Sequence, residues 1–265
     1  MLLGDDFRWL CPQFYPTSYQ AGKPAPFAVS KHSFAEGGPF AECDDLQEVE
    51  DYEWPCVDHC NFDRCLEELK ACRSYYRATG MWCCFYHNVM DLFGMENYMV
   101  KMYTNPEIVE AVTNKVCQFY YEANERFFEK AAKHAEGFFF GNDFGTQITL
   151  ICSPAHFDRF ILPWFTRFTE QGHRHGLQVI LHSCGSIHGV IGRLIEAGVD
   201  ALHPLQALAA NMDAETLAHD FKGKVAFIGG IDTQDLLVNG TPASIRAEVR
   251  RVKEPVSYTH LRAHE

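Results

Sequence analysis

The stretch Leu177–Gly189, LQVILHSCGSIHG, indicates both how the chain folds and where its chemistry lies. Its first five residues form a mostly apolar run, typical of a strand buried on both faces of a parallel sheet. The run leads directly into His182, and Cys184 follows two residues later. Side chains at positions i and i+2 of a strand project to the same side. We therefore predict that this imidazole and this thiol lie together at the carboxyl end of the strand.

A histidine nitrogen beside a cysteine sulfur makes half of a tetrahedral zinc site, so His182 and Cys184 are predicted metal ligands. Gly185 allows a sharp turn into a helix predicted for residues 187–197. The alternative is a buried cysteine next to a hydrogen-bonded core histidine, which explains an isolated His-x-Cys pair more simply. The surrounding sequence must decide between the two interpretations.

Strand and helix patterns alternate along the chain, as parallel α/β folds require. A helix starting at Asn105-Pro106-Glu107 is predicted to continue to about His134. Predicted strands lie near Met81, Gly137, Leu177, Asp200 and Val225, the first over residues 81–86. The alternation fits a parallel barrel or a doubly wound sheet. If it is a (β/α)8 barrel, which needs eight strands in about 250 residues, we expect the others before Asp51 or beyond both ends, with an open gap in the sheet.

The two ends of the sequence read differently from its middle. Residues 255–265, PVSYTHLRAHE, differ in composition from the helix before them and resemble a translated sequencing adapter. The first residues begin in the middle of a pattern. We therefore expect one barrel domain over residues 1–254, truncated at both ends, and a non-native tail over residues 255–265.

Composition narrows the class of protein. With 23 basic and 35 acidic residues the formal net charge is −12, which argues against nucleic acid or an anionic membrane as partner. No apolar run reaches the length of a membrane span, and no signal peptide opens the sequence. The 11 cysteines are odd in number, and several lie in apolar or helical stretches. Reduced thiols in a cytoplasmic protein are the better interpretation.

Several motifs together resemble the uroporphyrinogen decarboxylase superfamily, most closely its branch of corrinoid-linked methyltransferases. They are HSCGSI at 182–187, LIEAGVDALHPLQ at 194–206, VAFIGGIDTQDLLVNGTP at 225–242, GNDFGTQITLICSPAHFDRFILPWF at 141–165 and, more weakly, DYEWP at 51–55. The resemblance implies a (β/α)8 barrel. For the methyltransferase branch it also implies a zinc that binds a thiol, and a corrinoid methyl carrier on a partner protein. The decarboxylase branch lacks the His-x-Cys pair.

Chemistry in such barrels gathers where the strands end. Asp143 and Asp232 are the predicted catalytic residues there. The predicted substrate-binding residues are His87, Asn142, Gln147, His203, Gln206 and Gln234. Each has a simpler reading: Asp143 can hold a turn, His203 can be a satisfied buried histidine, and Asp232 can cap a helix. Their convergence from successive strands is harder to explain by packing.

The favoured function is zinc-dependent methyl transfer between a corrinoid and a thiol or related acceptor. Zinc deprotonates a bound thiol at neutral pH, and the thiolate attacks the methyl group. In the family that this sequence resembles, a later cysteine completes the site, but no cysteine follows Cys184. Either that ligand lies outside the sequence, or another group such as His203 or Asp232 replaces it.

Two other functions remain open. Uroporphyrinogen carries eight carboxylates, and its decarboxylation requires basic residues at the mouth of the barrel. No Lys or Arg occurs in 86–94, 141–153, 182–189, 203–213 or 229–240, although the family places its substrate arginines nearer the amino terminus. The third possibility is a barrel that binds a corrinoid protein or a tetrapyrrole without turnover.

Overall fold

The computed structural model describes residues 6–14, 18–23, 27 and 37–256. Six parallel strands form one curled sheet, part of a (β/α)8 barrel as predicted, in the order of the chain. They are β1 Phe7–Leu10, β2 Tyr76–Thr79, β3 Gly137–Gly141, β4 Gln178–His182, β5 Ala201–Leu205 and β6 Ala226–Gly229. Among the described residues β1 pairs only with β2 and β6 only with β5, so the sheet has the expected gap.

Helices connect the strands and cover the outer face of the sheet. They are α1 Leu46–Asp51, α2 Asp63–Ala71, α3 Phe85–Phe93, α4 Met95–Thr104, α5 Pro106–Ala131, α6 Pro154–His156, α7 Leu162–Arg174, α8 His188–Glu196, α9 Ala214–Phe221, α10 Leu236–Asn239 and α11 Pro242–Val256. A π-helical stretch, Phe157–Ile161, joins α6 to α7. A 3-10 turn at Ala132–His134 extends α5, as the predicted long helix requires.

The strand predicted at residues 81–86 is wrong. The strand lies earlier, at Tyr76–Thr79, and the chain turns at Gly80, whose φ is +101°. A Cβ at Gly80 would lie 2.4 Å from the ring of Phe138, so only glycine fits this turn. The apolar residues that follow are buried against α5 instead, where the backbone N–H of Met81 donates to Asn124 Oδ1 at 2.8 Å. The apolar pattern of residues 81–86 therefore reflects packing against a helix, although it resembles the pattern of a buried strand.

Five of the six strands correspond to predicted ones, with β2 earlier than predicted. The additional strand is β1, which lies before Asp51, where some of the strands not recognised in the sequence were expected. Residues 257–265 of the predicted tail lie outside the described residues, and the domain boundary at 254 stays a prediction. No helix in the described part of the chain is long and apolar enough to cross a membrane.

The two faces of the sheet carry different cores because alternate residues of a strand point to opposite sides. Phe138 and Phe140 face the helices, with ring centroids 4.6 Å apart, in the larger apolar core. Phe139 faces inward with Ile180 and a few small residues. This thin inner layer ends, at the carboxyl ends of β3 and β4, in polar side chains.

Candidate metal centre

The pair His182 and Cys184 lies where the sequence predicts, at the carboxyl end of β4. The Sγ atom of Cys184 is 3.6 Å from Nε2 of His182. Register supports this placement, since His182 lies between Gly141 of β3 and His203 of β5. The thiol and the imidazole therefore face a common point at the mouth of the barrel.

Asp143, two residues beyond β3, supplies a third converging group. Its Oδ1 is 3.4 Å from His182 Nε2 and accepts a 2.8 Å hydrogen bond from the backbone N–H of Cys184. Ligand atoms of the three residues all lie within 4.8 Å of one another. Asp143 is predicted above to be catalytic, and the third ligand is expected outside the sequence or at another group such as His203 or Asp232. The adjacency of β3 and β4 was the signal that could have placed Asp143 beside Cys184 as the third ligand.

The spacing of these atoms fits a zinc ion. Tetrahedral bonds of about 2.3 Å to sulfur and about 2.0–2.1 Å to nitrogen and oxygen hold S and N roughly 3.5 Å apart, and N and O roughly 3.4 Å apart. The corresponding distances here are 3.6 Å and 3.4 Å. Three protein ligands of types N, S and O leave a fourth position open, as in catalytic zinc sites.

The protonation of Asp143 and Cys184 also suits a cation. Burial raises the pKa of Asp143, but the contact with His182 and the hydrogen bond from the Cys184 N–H outweigh it and hold that pKa at about 2. Burial, together with the charge of Asp143, raises the pKa of Cys184 to about 11. The Asp143 carboxyl is therefore ionised and the Cys184 thiol protonated at neutral pH, and a bound cation would stabilise the thiolate.

His203 contacts Nδ1 of the His182 ring, whereas Cys184 and Asp143 lie near its Nε2. The Nδ1 atoms of the two rings are 3.1 Å apart. Burial, with a smaller contribution from the charge of His182, lowers the pKa of His203 to about 4, so this ring is neutral at pH 7. If His203 accepts the hydrogen bond, His182 donates from Nδ1 and keeps its Nε2 lone pair for a metal. His203 thus contacts a candidate ligand, and its predicted binding of substrate stays a prediction.

Two predicted substrate-binding amides are engaged in holding the backbone. Asn142 is buried; its Oδ1 accepts from the N–H of Tyr86 at 2.9 Å, and its Nδ2 donates to the Cys83 carbonyl at 2.8 Å. Gln206 Oε1 accepts from the N–H of Gly185 at 2.8 Å and so fixes the loop after the three converging residues Asp143, His182 and Cys184, which we call the metal group. Their contacts are structural, and binding of substrate by either stays a prediction.

The remaining predicted residues lie outside the metal group, and their catalytic or binding roles stay predictions. Asp232 accepts hydrogen bonds from the backbone N–H groups of Gln234 and Leu236, at 2.7 Å and 3.1 Å, which is the capping role considered as its alternative. It does not belong to the metal group, so the idea that it replaces the third ligand is not supported. The side chains of Gln147 and Gln234 are exposed.

Two neighbouring cavities open beside the metal group. The smaller, of about 310 Å³, is lined by Trp82, Cys84, His87, Asp91, Gly141, Asn142, Asp143 and His182. The larger, of about 510 Å³, is lined by Phe7, Arg8, Trp9, Trp82, Phe139, His182 and His203. The ring of Trp82 borders both, and Gly141 makes room for it, since a Cβ there would lie 2.3 Å from that ring.

His87 and Asp91 reach the smaller cavity from α3. His87 was expected after a strand but lies in the first turns of this helix, and Asp91 follows one turn later. Burial lowers the pKa of His87 and raises the pKa of Asp91. Sequence reading missed Asp91; the signal was its i+4 spacing from His87, which places both on one helix face.

Comparison with known proteins agrees with this architecture. The family described as Uroporphyrinogen decarboxylase (URO-D) matches residues 87–261, well over half of the chain. The chain belongs to this family. The matched region of this URO-D member contains all three residues of the metal group. A search of the curated proteins finds no significant match.

Among solved structures, the chain is similar to a methyltransferase from Methanosarcina mazei, with a TM-score of 0.61 and 17% sequence identity. The similarity covers 83% of this chain and 62% of the methyltransferase, so this chain spans less than two thirds of that protein's length. At this identity the likeness shows a shared fold.

Proposed function

We propose that the protein is a zinc-dependent methyltransferase that moves a methyl group between a corrinoid and a thiol or related acceptor. The convergence of Asp143, His182 and Cys184, whose ligand atoms lie within 4.8 Å of one another, is the observation that carries this proposal. Membership of the URO-D family and the fold shared with a methyltransferase support it.

Each residue near the site has a defined part in this proposal. Cys184, His182 and Asp143 would hold the zinc, and His203 would keep His182 in the tautomer whose Nε2 is available. A zinc ion bound there would supply a lowered pKa for the acceptor thiol, which favours its thiolate at neutral pH. The backbone N–H of Cys184 orients the Asp143 carboxylate, and Trp82 walls the cavity.

The corrinoid is proposed from the sequence resemblance, and we place it on a partner protein. The two cavities, about 310 Å³ and 510 Å³, lie at the lower end of the range of roughly 300–1,000 Å³ for pockets that enclose small ligands. A corrinoid is larger than such ligands. We propose a cytoplasmic location, where the 11 free cysteines would stay reduced.

A direct test uses methylcobalamin as donor and a small thiol as acceptor. The thiolate takes the methyl group to give a thioether, the Co–C electron pair stays on cobalt as Co(I), and the thiol proton goes to solvent. We expect zinc-loaded wild-type protein to form the thioether, and Cys184→Ala to lose at least 99% of that rate. Equal rates for the two proteins would overturn the proposal.

Decarboxylation of uroporphyrinogen is the alternative within the family. Arg8 is the only Lys or Arg among the described residues that line the two cavities, and its guanidinium lies over the ring of Tyr75 at 4.3 Å. Such a lining offers little to offset eight carboxylates. We expect no coproporphyrinogen at ordinary turnover, on the order of 1 per second. If the protein binds a tetrapyrrole in a titration but does not convert it, the third alternative, a barrel that binds without turnover, would be supported.

A further inference from the structure

The smaller cavity beside the metal group has an unusual charge balance. Its described lining contains two carboxylates, Asp91 and Asp143, and no Lys or Arg. Asp143 belongs to the metal group, whereas Asp91 lines the same cavity from α3 and lies outside that group. No described side chain donates a hydrogen bond to the Asp91 carboxylate or forms an ion pair with it. A half-buried carboxylate without a partner is costly unless something else supplies the positive charge.

Charge counting shows what the missing partner must be. A Zn²⁺ ion held by the Cys184 thiolate and the Asp143 carboxylate forms a neutral unit, and a bound substrate thiolate makes it negative. Asp91 adds a second negative charge to the same cavity. An anionic substrate tail would meet repulsion there, whereas a cationic tail would neutralise Asp91. The ring of Trp82 on the cavity wall also favours a cation over an anion.

We propose that this cavity selects a thiol whose tail carries an ammonium group, and that Asp91 binds that group. This inference rests on the proposed function, because it assumes that a thiol is the ligand of the metal. Asp91 lies one helical turn from His87, which brings both side chains into contact with the same ligand. The preference sets this chain apart from an enzyme for an anionic thiol.

The test compares three thiols of equal length that differ in charge: 2-aminoethanethiol, 2-mercaptoethanol and 2-mercaptoethanesulfonate. Their binding to the full chain, loaded with zinc, is measured by isothermal titration calorimetry. Because the three also differ in thiol acidity, the informative quantity is the change in each affinity upon substitution of Asp91. For Asp91→Asn we expect about a tenfold weaker binding of the ammonium thiol, an unchanged affinity for the neutral thiol and tighter binding of the sulfonate.

Two further variants keep the result interpretable. Asp91→Glu retains the charge and should retain most of the preference, and Asp63→Asn removes an exposed carboxylate on α2 as a matched control. Two results would overturn this inference and leave the proposed function intact. In the first, Asp91→Asn changes the affinity for all three thiols equally. In the second, the wild type prefers the sulfonate, and Asp91→Asn does not increase that preference. Failure of all three thiols to bind zinc-loaded protein would overturn both.

Discussion

The two ends of the strands use polar residues in opposite ways. At the amino ends, charged and polar groups are paired: Arg77 binds Glu136 at 2.6 Å, and Tyr76 donates to Gln178 at 2.9 Å. Asp200 accepts from the N–H of Val179 at 2.6 Å. At the carboxyl ends, a carboxylate, an imidazole and a thiol converge, and the described lining beside them contains no Lys or Arg.

This contrast separates residues that hold the barrel from residues that act. Pairs at the amino ends satisfy each other and join adjacent strands, which is a contribution to stability. Groups at the carboxyl ends include a carboxyl and a thiol whose pKa values are both shifted, which is typical of a functional site in a barrel. Substitutions at the two ends should therefore change different measurements.

The largest effect is expected for Asp143→Asn. The asparagine oxygen can still accept from the Cys184 N–H, so the fold should be kept while a charged ligand is lost. We expect zinc affinity to fall by about 100-fold or more, equivalent to about 3 kcal/mol. A chelator competition titration measures this, and urea unfolding of the metal-free protein should shift by less than about 1 kcal/mol. Unchanged zinc affinity would remove Asp143 from the site.

A smaller effect is expected for His203, which acts through His182. Replacing it by Leu removes the Nδ1 contact and should weaken zinc binding by roughly 10–100-fold. His203→Asn places an amide near the former Nδ1 and should restore most of the affinity. If Leu and Asn weaken zinc binding equally, the contact between the rings does not position the ligand.

The smallest effect is expected at the amino ends, for Glu136→Gln. Arg77 binds Glu136 through its guanidinium and its backbone N–H, but the carboxylate side chain is 40% exposed, so solvent screens the pair. We expect a loss of about 1 kcal/mol in the free energy of unfolding, with zinc affinity unchanged. A change in zinc affinity would break the separation between the two ends.

The pH dependence provides a check on the same pair. Burial raises the pKa of Glu136, but the hydrogen bonds from Arg77 outweigh it and lower that pKa below its ordinary value. The folded state therefore binds this proton less readily than the unfolded state. The contribution is complete above the unfolded pKa, about 4.3, and is lost as pH falls through the lower folded value. The difference in stability between wild type and Glu136→Gln should be full at pH 7 and shrink below about pH 4.

Sequence reading predicted the barrel from the family resemblance, and it predicted the His182–Cys184 pair because that pair depends on local pattern. The apolar run of β4 and the two-residue period of a strand determine where these side chains point. It failed at residues 81–86 because the burial of an apolar segment by α5 looks the same in sequence as burial in a sheet.

The rest of the site depends on contacts between distant segments. Asp143 joins Cys184 across 41 positions of sequence, and only the pairing of β3 with β4 brings them together. Asn142 resembles a binding residue in the sequence, yet its amide is occupied by backbone groups 56 and 59 positions away. Such roles follow from tertiary geometry and leave no local signal.

Elemental analysis of zinc in purified full-length chain tests the central claim most directly. The comparison needs wild type, Cys184→Ala and Cys56→Ala, the last replacing an exposed cysteine outside the metal group. We expect about one zinc per chain in wild type and in Cys56→Ala, and less than about a tenth of that in Cys184→Ala. Equal zinc in all three proteins would contradict the assignment of Cys184, and with it the metal centre described here.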